Sequence, residues 1–121
     1  MTQTVTILSN VEYGVPSGNY DGSSLDWYSP AVQAADYYQG RGSGTQTYVI
    51  SVNNFRGRLV FEATLDTDAD SAEWFDLFEY GDISSTITDY HPRSVQGNFT
   101  WTRIRVELFE SGTVNFVTIT Y

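Results

Sequence analysis

The 121-residue chain reads as all-β: a single domain over residues 1–121, built as an antiparallel β-sandwich or jelly roll of about seven or eight strands with a loop-rich N-terminal third. Three observations carry this expectation. Apolar residues alternate at period two and show almost no helical period. Aromatics make up 16% of the residues, with β-branched residues abundant beside them. Glycine-containing connections, N-N-F-R-G, S-V-Q-G-N and E-S-G, punctuate the alternating runs.

Taken in order, T-V-T-I-L at 4–8 and T-Y-V-I-S-V at 47–52 are short alternating strands. The clearest is R-L-V-F-E-A-T-L at 58–65, where Leu59, Phe61, Ala63 and Leu65 share a core-facing side and Val60, Glu62 and Thr64 the other. E-W-F-D-L-F-E-Y at 73–80 is the next strand. F-T-W-T-R-I-R-V-E-L-F at 99–109 and T-V-N-F-V-T-I-T-Y at 113–121 are expected to form a hairpin, with Gly112 of E-S-G in its turn. Within 99–109 the apolar phase slips between Phe99/Trp101 and Ile104/Val106/Leu108, which predicts a bulge or a change of sheet. Residues 9–46 are rich in Gly, Ser, Tyr and Asp and read as loops with one or two short strands, V-Q-A-A-D-Y-Y at 32–38 being a strand or a helical turn.

Composition removes several activities. Without cysteine there are no disulfides, no thiolate chemistry and no Cys-based metal frameworks. With fifteen carboxylates, six arginines and no lysine, the net charge of −9 repels a phosphate backbone, so neither nucleic acid nor an anionic membrane is an expected partner. A chain without lysine has no G-x-x-x-x-G-K loop. The N-terminus lacks a basic region and apolar run, and no stretch nears the roughly 18 apolar residues of a membrane helix, so a soluble product delivered as made is expected. His91, the single histidine, sits in the loop-like D-Y-H-P-R-S without a nucleophile elbow or a second imidazole. Paired carboxylates of a glycosidase could be found among fifteen, but nothing favours any pair, and a non-enzymatic protein with no cofactor is expected.

Two constellations remain. L-D-T-D-A-D-S-A-E-W-F at 65–75 spells the start of a calcium loop with Asp66, Asp68, Asp70 and Glu73. Counted from Asp66, however, the required Gly at position six is Ser71 and the bidentate Glu at position twelve is Leu77, which leaves only an irregular calcium site as an alternative to a solvated strand connection. Tyr20, Trp27, Tyr28, Tyr37 and Tyr38 lie in the polar N-terminal third, where they would either stack on sugar rings, cap the open end of the core, or anchor a protein interface. Charge is also uneven: nine carboxylates and no arginine lie between Glu62 and Asp89, while Arg56 and Arg58 fall just before that block as candidate contact residues.

Read together, N-N-F-R-G-R-L-V-F-E-A-T-L at 53–65, E-W-F-D-L at 73–77, G-N-F-T-W-T-R-I-R-V at 97–106 and S-G-T-V-N-F-V-T-I-T-Y at 111–121 resemble a β-sandwich module of tailed-bacteriophage virion proteins, especially those of marine and cyanobacterial phages. The resemblance covers roughly residues 46–121. It implies a structural protein of the virion, assembled in the host cytoplasm. A capsid decoration or cement role on the head surface comes first, and a tail, neck or fibre attachment role second. It brings no catalytic residues. Expected partners are the major capsid protein or tail components and further copies of the chain, a trimer being usual in this setting. On this reading Phe55, Phe61, Leu65, Trp74, Phe99 and Trp101 are core or sheet-face positions. A carbohydrate-binding domain using the Tyr/Trp-rich loops is the alternative from another class.

Overall fold

The computed structural model describes residues 3–35 and 44–121; Tyr37 and Tyr38 lie outside the described residues. The chain is all-β and antiparallel, with no helix among the described residues. Its strands are β1 (Thr4–Glu12), β2 (Trp27–Tyr28), β3 (Val32–Gln33), β4 (Thr45–Thr64), β5 (Phe75–Gln96) and β6 (Trp101–Thr120). They form one six-stranded sheet in the order β1-β6-β4-β5, with β2 and β3 also pairing with β6. Among the described residues there are six strands where seven or eight are expected, and three of them are long: β4, β5 and β6 run for 20, 22 and 20 residues.

The long strands bend together instead of reversing. Their registers shift between Val52 and Gly57 on β4, opposite Asp82–Asp89 on β5 and Glu107–Val114 on β6. Asn54, Leu108, Gly81 and Gly112 take positive φ there. This corrects the hairpin expected at E-S-G. Residues 101–109 and 113–120 are one strand, both paired to β4, and Gly112 (φ 87) sits in a bend against the Asn54 carbonyl, where a Cβ would collide with it. N-N-F-R-G is likewise a bend inside β4, and only S-V-Q-G-N leads into a real connection, 97–100. His91 lies in β5, not in a loop, since D-Y-H-P-R-S pairs residue by residue with β4.

The bend divides the sheet into two leaves. The first contains β1 and residues 45–52, 89–96 and 114–120; the second contains β2, β3 and residues 57–64, 75–82 and 101–107. Their inner sides meet in one core. Tyr48 of the first leaf reaches Phe61 and Phe78 of the second at ring separations of 4.9 and 5.5 Å. Its hydroxyl lies 2.7 Å from Thr102 Oγ1, which donates to the Glu62 carbonyl, so Tyr48 is the donor to Thr102. Gln46, fully buried, accepts from Ala35 N and donates to Gly97 O. On the β5 side the gap between leaves is closed by Arg93 over the Phe78 ring (4.5 Å) and by Tyr80 stacked on His91 (5.3 Å).

Three further expectations change here. Leu65 is 63% exposed, because β4 ends at Thr64 and Leu65 opens the connection to β5. Val60, Glu62 and Thr64, expected on a solvated side, are buried like Leu59, Phe61 and Ala63. The phase slip near Trp101 is not a bulge: Phe99 precedes β6 and packs inward, whereas Trp101 stands on the outer side opposite Thr64 and donates its indole N–H to Thr67 O.

Candidate interaction surfaces

The two leaves present very different outer sides. On the second leaf, antiparallel pairing places Glu62 of β4 beside Arg103 of β6 and Asp76 of β5. Arg103 Nε donates to Glu62 Oε1 at 2.7 Å and Arg105 Nη1 to Glu62 Oε2 at 2.5 Å, so a carboxylate that is 4% exposed is held by two guanidinium groups. Arg105 continues to Asp76 (3.3 Å) and Glu107 (3.4 Å), and Arg58 to Glu107 (3.3 Å). The Arg103 guanidinium is also sandwiched between the Tyr28 and Trp74 rings, 4.3 Å from each centroid. Part of the acidic block between Glu62 and Asp89 is thus neutralised by arginines remote in sequence.

On the outer side of the first leaf the ladder from Thr4 to Tyr90 carries no charged side chain, and Glu12 lies beyond it at the bend. Three rows cross its four strands, and each row is set by the register. One consists of Thr4, Thr120, Thr47 and Ser94, the next of Thr6, Thr118, Val49 and Pro92, and the third of Ser9, Phe116, Ser51 and Tyr90. Hydroxyls pair within a row: Thr4 with Thr120 and Thr47 with Ser94, both at 2.9 Å. The ionisable residues of this stretch of β5, Asp89, His91 and Arg93, fall at the alternate positions, and of the three only Asp89, at the bend, borders this side. At the bend the rows end in an open depression of about 540 Å³ lined by Ser51, Asn53, Thr88, Asp89, Tyr90 and Asn115. Tyr90 is 66% exposed there and meets Phe116 edge-on at 6.0 Å. Asp89 accepts from the Tyr80 hydroxyl at 2.9 Å; burial and this carboxylate together raise the Tyr80 pKa.

The residues singled out in the sequence are placed as follows. Tyr20 and Trp27 are buried, packed on each other and with Phe109 (5.2 Å each for the Tyr20 contacts), so they cap the core and offer no face to a sugar. Tyr28 is partly exposed under Arg103. Asp66 turns its carboxylate to Glu73 N (2.7 Å) and Asp68 to Asp70 N (3.0 Å), so these side chains fasten their own loop. Among the described residues no group of three or more acidic, His or Cys side chains is arranged to hold a metal. Arg56 pairs with Glu110 (3.1 Å) and donates to Ile83 O, and Arg58 belongs to the ion-pair lattice. The uncharged rows were missed, although T-V-T at 4–6, T-Q-T at 45–47 and T-I-T at 118–120 spell the pattern of a strand with hydroxyls on one side. No protein-family model, curated protein or solved structure matches the chain.

Proposed function

We propose that the chain is a non-enzymatic structural protein of a tailed-phage virion, a β-sandwich module that decorates the capsid surface, with a tail, neck or fibre position as its alternative placement. The observation that supports this reading is the division of the outer surface: one leaf closed by its own ion pairs, the other crossed by charge-free, hydroxyl-rich rows. Depletion of charge with tyrosine and phenylalanine present is the composition of interface cores. The acidic remainder disfavours contacts between copies outside this face, and repetition on a particle lets modest contacts add up. The test is to localise the chain in purified particles by labelling and reconstruction. Density for it on the capsid lattice is expected; its absence from the particle overturns the reading.

A carbohydrate-binding function is the second reading, moved from the N-terminal loops to the Tyr90 depression. An exposed ring beside Asn53, Asn115 and Asp89 has the stacking face and planar hydrogen-bonding groups that a pyranose uses. A glycan array compares the native chain with Tyr90→Ala and Trp27→Ala. Binding lost in the first variant only supports this reading, and no binding by the native chain removes it.

A further inference from the structure

We propose that the charge-free rows on the outer side of the first leaf are a self-association face, on which a second copy of this chain packs sheet to sheet to give a two-fold dimer. The proposal rests on the assembly reading above and names its face and partner. It starts from charge. Two copies carrying −9 each repel over most orientations, and the rows from Thr4 to Tyr90 are where they can meet without opposing carboxylates. A basic partner would gain nothing from this face, since its attraction is to the acidic surface elsewhere.

The chemistry of the face is self-complementary. Every Thr and Ser hydroxyl both donates and accepts, so an array of them satisfies a second array of the same kind without the fixed pairing that charged groups demand. Val49, Pro92 and Phe116 lie among the hydroxyls and supply apolar area in the middle of the grid, with Tyr90 at its edge. The size sets the strength expected. Four strands about 4.8 Å apart and about six residues at ~3.4 Å each span roughly 19 by 20 Å. With its pleat this offers about 400–500 Å² per copy, the low end of the interface scale, which fits a weak, concentration-dependent dimer. A face used on itself is isologous and closes at two copies, in contrast to the trimer that the phage resemblance implies.

Sedimentation equilibrium of the full chain tests this, for the native protein, Thr118→Glu, Val49→Glu and the conservative Thr118→Ser. A species of twice 13.6 kDa is expected for the native chain and for Thr118→Ser. Its dissociation constant should fall as salt rises to about 0.5 M, because screening removes the repulsion. Either glutamate should raise that constant by roughly a hundredfold, since it places a carboxylate in a desolvated interface. Circular dichroism establishes that each variant is folded, and the two glutamates on different strands guard against one misfolding. A native chain monomeric at all concentrations, a trimer, or a dimer indifferent to both glutamates overturns the proposal. A monomer whose Tyr90 depression binds a glycan overturns it in favour of the sugar reading. Because localisation in particles is a separate measurement, a virion protein that is monomeric in solution would end this inference and leave the assembly reading standing.

Discussion

Tyr48 shows how one buried hydroxyl ties the two leaves together. Burial pushes its pKa up to about 12 from 10. Between those values the unfolded chain has lost the proton while the folded chain keeps it, so stability falls as pH rises from about 10 to about 12. Two pKa units correspond to roughly 3 kcal/mol. Urea unfolding of native and Tyr48→Phe protein at pH 7 and pH 11.5 should therefore show a steeper alkaline loss in the native chain. At pH 7 the variant should be weaker by only about 1 kcal/mol, the net value of one hydrogen bond. Equal alkaline losses would dissociate Tyr48 from the effect. Glu62 makes a second case. Removing its carboxylate leaves Arg103 and Arg105 facing each other on a crowded sheet, so Glu62→Ala should cost about 3 kcal/mol, as breaking a buried pair does. Glu62→Gln should cost less, since it keeps the shape and an acceptor, and a loss under about 1 kcal/mol in Glu62→Ala would mean the lattice is only a surface feature.

At the scale of elements, the sequence makes the strands legible and conceals where they end. E-S-G reads as a turn because a hairpin and a bulge both call for glycine at positive φ; what separates them is the neighbour in the sheet. Here the neighbour is Asn54, itself at φ 52 in the corresponding bend of β4, and no local pattern in 110–112 announces it. The continuation of β5 through I-S-S-T-I-T-D-Y-H-P-R-S-V-Q was missed for a related reason. As an edge strand it buries Phe78 and only partly covers Leu77, Tyr80, Ile87 and Val95, so its residues lack the apolar alternation that marks a half-buried strand. Gly112 and Gly14 give a paired test, because their φ values are 87 and 85 while only Gly112 faces a neighbouring backbone. Gly14→Ala should cost about 1 kcal/mol for its conformation alone. Gly112→Ala adds a collision with the Asn54 carbonyl and should cost at least about 3 kcal/mol in the same unfolding assay. Equal losses would show that the bend yields at no cost.

For the whole molecule, charge was read correctly in amount and wrongly in arrangement. The run from Glu62 to Asp89 holds nine carboxylates and no arginine, but β-pairing carries Arg58, Arg103 and Arg105 onto three of its members, Glu62, Asp76 and Glu79. Sequence distance hides such neutralisation, since the pairs lie 21 to 43 positions apart and only the register joins them. What remains acidic includes the connection from Asp66 to Glu73, where Asp66 and Asp68 already accept backbone N–H groups of the loop itself. This arrangement leads to a distinction between general screening and specific calcium binding. Net repulsion at −9 should make the melting temperature rise by a few degrees as sodium chloride is raised from low to about 0.3 M. At equal ionic strength, calcium and magnesium chloride should shift it alike, because an irregular loop fastened to its own backbone has no cage to favour the larger ion. Scanning calorimetry of the native chain and of Asp66→Asn in the three salts checks this. A calcium shift several degrees beyond magnesium, abolished in the variant, would establish a metal site in the loop and reverse the assignment of Asp66 and Asp68 to holding its backbone.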